Sequence, residues 1–254
     1  MAAWPEGIGR DLLGTVDSTN AEALRQAAAG RRAPGWILAR AQSGGRGRRG
    51  RAWSSPEGNF FATYLGFPEG GPQMAALRSY AAALALRDAL VEVTGRAPLF
   101  SLKWPNDVLL SGRKLAGILL EHTAEAGGAL AVGIGVNLRH APTAGALEPG
   151  ALLPATLTEA VTPAPTPEAF LDALAPAFDR WDRQLATYGF APLRTAWLDN
   201  AARLGEVITA KLPDRAITGI FESIDADGSL VLNTEAGRVT LAAAELHFAT
   251  EGRV

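Results

Sequence analysis

Cysteine is absent from all 254 residues of the chain. That excludes disulfides, thiolate metal sites and any acyl-thioester on the protein itself. Histidine is scarce, and His122, His140 and His247 lie too far apart in the sequence to form a metal-ligand set. No uninterrupted apolar run reaches membrane-spanning length, and Met1-Ala2-Ala3-Trp4-Pro5-Glu6 lacks a charged segment followed by an apolar one. The expectation is a cytoplasmic protein with no membrane partner. Excess positive charge is missing too. Lys and Arg number 24 against 26 Asp and Glu, a net charge of −2, with a pI near 6.0, which argues against a general nucleic-acid binder. Hydrophobic residues make up 48% of the chain, enough apolar material for one or two globular domains.

Against this near-neutral background one stretch stands out: Gln42-Ser43-Gly44-Gly45-Arg46-Gly47-Arg48-Arg49-Gly50-Arg51-Ala52-Trp53. Its glycines let successive N–H groups turn to one side and form a concavity for an anion, and its arginines add planar forks of donors suited to phosphate or carboxylate. Residues 45 to 50 match G-x-G-x-x-G, but residues 59 to 65 (NFFATYL) then read as a strand where the dinucleotide fingerprint requires a helix. A P-loop fails because Arg51-Ala52 stands where Lys and Ser or Thr are needed. A kinase-type cover lacks its His-Arg-Asp and Asp-Phe-Gly partners. What remains is a loop between strands, residues 36 to 41 and 59 to 65, that grips an anion by another scheme.

Along the rest of the chain, residues 11 to 16 read as a strand, and Ser18-Thr19-Asn20 supply N-cap candidates for a helix over 21 to 29. Capping alone would explain these three residues; contact with a small polar ligand is the alternative. Residues 73 to 93 predict a helix apolar on two sides, backing a sheet. In Lys103-Trp104-Pro105-Asn106-Asp107 the proline and the Asn-Asp pair interrupt a strand. Ser111-Gly112 is a tight turn, and Lys114 leads the strand that leaves it. Gly117, and Gly133 with Gly135 on the strand over 129 to 138, strip one face of side chains, so that something flat could lie there. After a Pro- and Gly-rich connection over 141 to 167, Leu171, Leu174, Phe178, Trp181, Leu185 and Tyr188 predict a core-facing helix stripe. A second helix is expected over 192 to 202. From Gly205 the period becomes two, with turns at 225 to 228 and 235 to 237, which predicts a small β-barrel of the SH3-like kind.

Taken together, Asp17-Ser18-Thr19-Asn20, the GRGRRGR-x-W loop ending at Trp53, KWPND at 103 to 107, RKLAG at 113 to 117 and G-x-G-x-N at 133 to 137 resemble the biotin protein ligases over nearly the whole chain. The resemblance implies an α+β fold. A mixed sheet backed by helices would form a class II synthetase-like catalytic domain over 1–203, followed by an SH3-like domain over 204–254. The catalytic part begins almost at Met1, so the helix-turn-helix of the family's regulatory members is not expected, nor is a repressor role. The resemblance implies conversion of biotin and ATP, with Mg²⁺, to biotinyl-5′-AMP, and then transfer to a lysine of a biotin carboxyl carrier protein domain. A homodimer is compatible with it.

By residue, the family pattern puts Ser18, Thr19 and Gln42 on biotin's ureido ring and Asn20 also on biotin, with Arg46, Gly47 and Arg48 folded over biotin and phosphate. Lys114 would lie between the biotin carboxylate and the α-phosphate, so that Lys114 and Arg48 carry the catalysis. Gly117, Gly133 and Gly135 would line a slot for biotin's apolar tail. Trp53 would stack on adenine, with Arg51, Lys103, Asn106 and Asn137 on the nucleotide and Asp107 near Mg²⁺ or the phosphates. Clustered cations suit this chemistry, because a carboxylate and a triphosphate repel each other before they react. A lipoate or octanoate ligase is the nearest rival, although Ser18, Thr19 and Gln42 suit a ureido group better than a dithiolane or alkyl chain. The cysteine-dependent octanoyl transferases are excluded by composition. An RNA-binding Arg-Gly protein is the rival from another class.

Overall fold

The structure, a computed structural model, describes residues 2–143 and 151–248. Part of the connection over 141 to 167, and the last six residues of the expected 204–254 domain, lie outside the described residues. A seven-stranded mixed sheet carries β1 (Gly9–Val16), β2 (Gly35–Gln42), β3 (Phe60–Gly66), β4 (Phe100–Lys103), β5 (Asp107–Leu110), β6 (Arg113–His122) and β7 (Leu130–Val136) in the order β1-β2-β3-β7-β6-β5-β4. Only β1 and β2 run parallel, joined by α1 (Thr19–Ala28), while the other neighbours are antiparallel.

Alternation along the strands sorts the side chains onto two faces. Trp36, Leu38, Phe60, Ala62, Ala116, Ile118, Val132 and Ile134 join the large core built with α2 (Gly71–Thr94) and α4 (Pro167–Tyr188). Helix α2 is buried along most of its length, as its two-sided apolar pattern predicts. Ile37, Leu65 and Ala131 point the other way and meet Ala23 and Ala27 of α1 in a much smaller cluster. A ten-residue helix and the short turn α3 (Glu125–Gly128) cover only part of this second face. The uncovered part is where the site forms.

The expected stripe on α4 holds at Leu171, Leu174, Phe178 and Leu185, all buried, but Tyr188 is 72% exposed. It sits on the last helical residue, where Gly189 (φ 73°) turns the chain into α5 (Phe190–Leu198) and away from the core. The motif over 103 to 107 does more than interrupt a strand. It reverses the chain, so β4 and β5 form an antiparallel hairpin.

A second, antiparallel sheet follows in the order β11-β10-β9-β8-β12, from β8 (Val207–Lys211), β9 (Ala216–Ile224), β10 (Leu230–Thr234), β11 (Gly237–Leu241) and β12 (Glu245–Phe248). Strand β12 is not expected from the sequence, because four residues are too few to show alternation. A buried hydrogen-bonded node joins this sheet to the first sheet's side of the molecule. In the turn after β9, Asp225 Oδ1 accepts from the N–H groups of Asp227 (2.9 Å) and Ser229 (2.8 Å). That turn presents the Gly228 carbonyl to the Tyr80 hydroxyl of α2 (2.6 Å) and to Trp104 Nε1 (3.1 Å). Trp104 is buried, so the interior of the 103–107 hairpin is fastened to the C-terminal sheet. Tyr80→Phe removes one donor from this node and should destabilise the protein by about 1 kcal/mol in urea unfolding. An unchanged midpoint would show that the node contributes nothing.

Candidate functional site

On the uncovered face lies a cavity of about 740 Å³. Beneath it run two rows of cross-strand partners. Thr63, Gly133 and Leu119 form one, and Phe61, Gly135, Gly117 and Asp107 form the other, two residues along each shared strand. The second row leads toward Lys114. Every predicted site residue lines this cavity: Ser18, Thr19, Asn20, Gln42, Arg46, Gly47, Arg48, Arg51, Trp53, Lys103, Asn106, Asp107, Lys114, Gly117, Gly133, Gly135 and Asn137.

At the polar end Ser18 caps α1, its Oγ 3.5 Å from the N–H of Ala21. Gln42 Oε1 accepts from the Thr19 N–H at 2.8 Å, and its Nε2 donates to Ser55 Oγ at 3.0 Å. The Asn20 carboxamide lies against Gly133, where any Cβ would collide with it. Residues 18 to 20 therefore start a helix and also line the cavity.

At the other end Lys114 Nζ lies 2.8 Å from Asp107 Oδ1, and Lys103 Nζ lies 3.8 Å from Oδ2. Lys103 is buried and 5.5 Å from the Phe248 ring centroid; desolvation pulls its ammonium below the usual lysine range, against the opposing pull of Asp107. The backbone of Lys114 is pinned by hydrogen bonds to Leu153 and Ala155. Asn106 Nδ2 donates to the Ile118 carbonyl at 2.7 Å, which leaves its Oδ1 facing Arg48 at 3.5 Å. Asn137 is buried and donates to the Ala155 carbonyl at 3.2 Å.

Between the ends hangs the glycine-arginine loop. Its base is tied to β1 by the N–H of Ser43 on Val16 O (2.9 Å) and of Gly44 on Asp17 O (2.8 Å). Arg46 and Ala52 bridge in antiparallel fashion, and the tip turns through Arg49 (φ 58°) and Gly50 (φ 72°). Trp53 drops from this hairpin onto the sheet, so a Cβ at Gly135 would meet its Nε1 at 2.7 Å and one at Gly117 its Cζ3 at 3.1 Å. The space the glycines open is thus filled by the indole. Its buried Nε1 has no hydrogen-bond partner among the described residues, and Lys114 Nζ lies 5.5 Å from the ring centroid.

Residues 14–138 match the Biotin/lipoate A/B protein ligase family, and residues 204–246 match the Biotin protein ligase C terminal domain. A biotin--[acetyl-CoA-carboxylase] ligase of Paracoccus denitrificans is 54% identical, over 93% of this chain and 99% of that protein. The chain belongs to the biotin protein ligase family. The bifunctional ligase/repressor BirA of Escherichia coli K12 is 30% identical over 92% of this chain and 74% of its own length. Among solved structures, the biotin protein ligase of Aquifex aeolicus in complex with biotin and ATP superposes with a TM-score of 0.77 at 26% identity, covering 94% of this chain and 97% of that one.

Four residues in or around this cavity carry no signal of their own in the sequence. Ser55 and Thr63 complete the polar end. Glu121 lies 3.5 Å from Arg46 Nη2; it shares a strand face with Gly117, a spacing that could have marked it. Glu245 comes from β12. Its carboxylate takes both Arg51 Nη atoms (2.7 and 2.9 Å) and Arg49 Nη1 (3.1 Å), which ties the loop tip to the second sheet. The Arg51 hydrogen bonds hold the Glu245 carboxyl down at about 2 against an ordinary 4.5. The folded value lies below the unfolded one, so this clasp contributes above about pH 4.5 and fades as pH falls toward 2. The pair is partly solvated and worth at most about 1 kcal/mol. Glu245→Gln should therefore leave the melting temperature nearly unchanged while tryptic cleavage within residues 46 to 51 speeds up roughly fivefold. Cleavage at the wild-type rate would show that the clasp does not hold the loop.

Proposed function

We infer that this chain activates biotin with ATP to biotinyl-5′-AMP and passes the biotinyl group to a lysine of an acetyl-CoA carboxylase carrier subunit, in the cytoplasm. The observation that carries this reading is a charge imbalance. Arg46, Arg48, Arg49, Arg51, Lys103 and Lys114 line the cavity against Asp107 and Glu245 alone among the described residues, in a protein whose net charge is −2. A neutral hydrogen-bonding end beside a strongly cationic one fits a molecule with a polar uncharged ring and an anionic tail that must meet a triphosphate.

In the first step a biotin carboxylate oxygen attacks the α-phosphorus, and the bond to pyrophosphate breaks. Lys114 is the cation placed to screen the two approaching anions, and Arg48 the one on the loop that faces the nucleotide. Burial lowers the guanidinium's affinity for its proton, an effect that a bound phosphate would offset. In the second step the carrier amine attacks the acyl carbon, AMP leaves, and the nitrogen sheds a proton. No covalent enzyme intermediate is involved, which agrees with the missing cysteine. Ser18, Thr19, Asn20 and Gln42 would take the ureido ring. Gly117 and Gly135 would take the tail once Trp53 moves aside. Arg51, Trp53, Lys103, Asn106 and Asn137 would surround the nucleotide.

Mg²⁺ has no protein cage here. Asp107 is engaged by two lysines, and no cluster of three His, Cys, Asp or Glu occurs among the described residues. These residues do not fit a resident metal site, and a Mg²⁺ ion would enter on the triphosphate, which commonly supplies most of its ligands.

Pyrophosphate release measured with biotin, lipoate and octanoate should be stimulated by biotin at least tenfold over the others; equal stimulation by lipoate would overturn the assignment. Lys114→Ala should lower that release by about 10²-fold or more while biotin binding, read by calorimetry, is largely kept. A full release rate in the variant would remove Lys114 from the mechanism.

A further inference from the structure

Beneath the polar end of the cavity runs a chain of side chains in which the direction of every hydrogen bond can be worked out. Asn20 Nδ2 lies 2.7 Å from Glu121 Oε2 and 3.2 Å from the Leu119 carbonyl. Both are acceptors, so the amide nitrogen must face them and Oδ1 must face Thr63, 2.6 Å away. A carbonyl oxygen cannot donate, so the single hydroxyl proton of Thr63 is committed to Asn20. Thr63 Oγ1 also lies 2.8 Å from Thr19 Oγ1. With its own proton spent, Thr63 can only accept there, and Thr19 donates. Gln42 Oε1, 3.2 Å from the same Thr19 hydroxyl, already takes the Thr19 N–H at 2.8 Å. Thr19 therefore shows the cavity a lone pair and no proton.

We propose that Thr63, a fully buried residue that does not line the cavity, is a positioning residue that fixes Thr19 as a hydrogen-bond acceptor and so makes the site select a ring that presents an N–H. The direction starts at Glu121, whose carboxylate accepts only, and passes through Asn20 and Thr63 to Thr19. Gly133 is part of the device: it is the cross-strand partner of Thr63, and only a residue without a Cβ lets the Asn20 carboxamide lie between the two ends. Thr19, Asn20 and Thr63 are buried, so the links among them are enforced, since a buried donor facing a donor, or an acceptor facing an acceptor, leaves both unsatisfied. A ureido ring offers the required N–H; a dithiolane or an alkyl chain has none.

This inference rests on biotin being the ligand, and its test separates the two. Calorimetric affinities are measured for biotin and for the isosteric cyclic carbamate in which one ring N–H is replaced by oxygen, in both regioisomers. The proteins are the wild type, Thr63→Val and Thr63→Ser. The wild type should bind one regioisomer about thirtyfold or more weakly than biotin, because a ring oxygen would face a lone pair. In Thr63→Val the Thr19 hydroxyl is released to turn its proton toward the ring oxygen. That penalty should then shrink at least tenfold, with the KM for ATP unchanged, and Thr63→Ser should restore it. If Thr63→Val weakens biotin but keeps the wild-type penalty, Thr63 is merely a packing residue and the proposal is overturned. An equal and small penalty in all three proteins overturns it as well. A wild type that does not bind biotin at all would overturn the proposed function and this relay together.

Discussion

Electrostatic repulsion governs this molecule twice. Two anionic substrates resist being brought together, and the cations needed to screen them resist being gathered in one cavity. The fold answers the second problem with covalent and hydrogen-bonded restraint. Lys114 is held by its backbone between β5 and the returning segment at 153 to 155, and Lys103 is buried beside the Phe248 ring. The arginines ride on a hairpin whose base is tied to β1. The carboxylates that do approach are few and peripheral: Glu121 at one flank of the loop, Glu245 at its tip, and Asp107 shared between two lysines. Each partly neutralises the cluster without filling the cavity, so most of the positive potential remains for an incoming anion.

Alternation in the strands explains why the site lies where it does. The face that packs on α2 and α4 takes the bulky side chains and provides most of the apolar burial. The opposite face can then give up packing, and it does so at Gly117, Gly133 and Gly135. Two of these glycines are covered by the Trp53 indole and the third by the Asn20 amide, groups that belong to the loop and to the start of α1. The floor is therefore built by omission, and the side chains resting on it come from the segments that the sequence marks most clearly.

That relation also bounds what the sequence can show. The glycine-arginine stretch, the KWPND turn and the spaced glycines are legible because each departs from what a plain strand or helix needs. Thr63 is hidden, since a lone threonine inside Phe60-Phe61-Ala62-Thr63-Tyr64 suits any β-strand. Glu245 is hidden because its strand is four residues long and its partners lie nearly 200 positions away. Tyr188 fits the helical period of its neighbours, yet the chain turns at Gly189 before anything can cover it. Local pattern reports which face a side chain takes; it does not report where the covering element stops.

The node at Gly228 has a wider implication. Its carbonyl is the acceptor for a phenol and an indole that belong to the first sheet and its helix, so neither half presents a self-sufficient surface at the seam. Exchange of the C-terminal module between relatives is favoured where the incoming turn offers a carbonyl at the same point, since otherwise a buried phenol and indole lose an acceptor. A lineage that dropped the module would have to refill the space behind Trp104 or replace the tryptophan. A single main-chain oxygen is thus among the features that a shuffled module must reproduce.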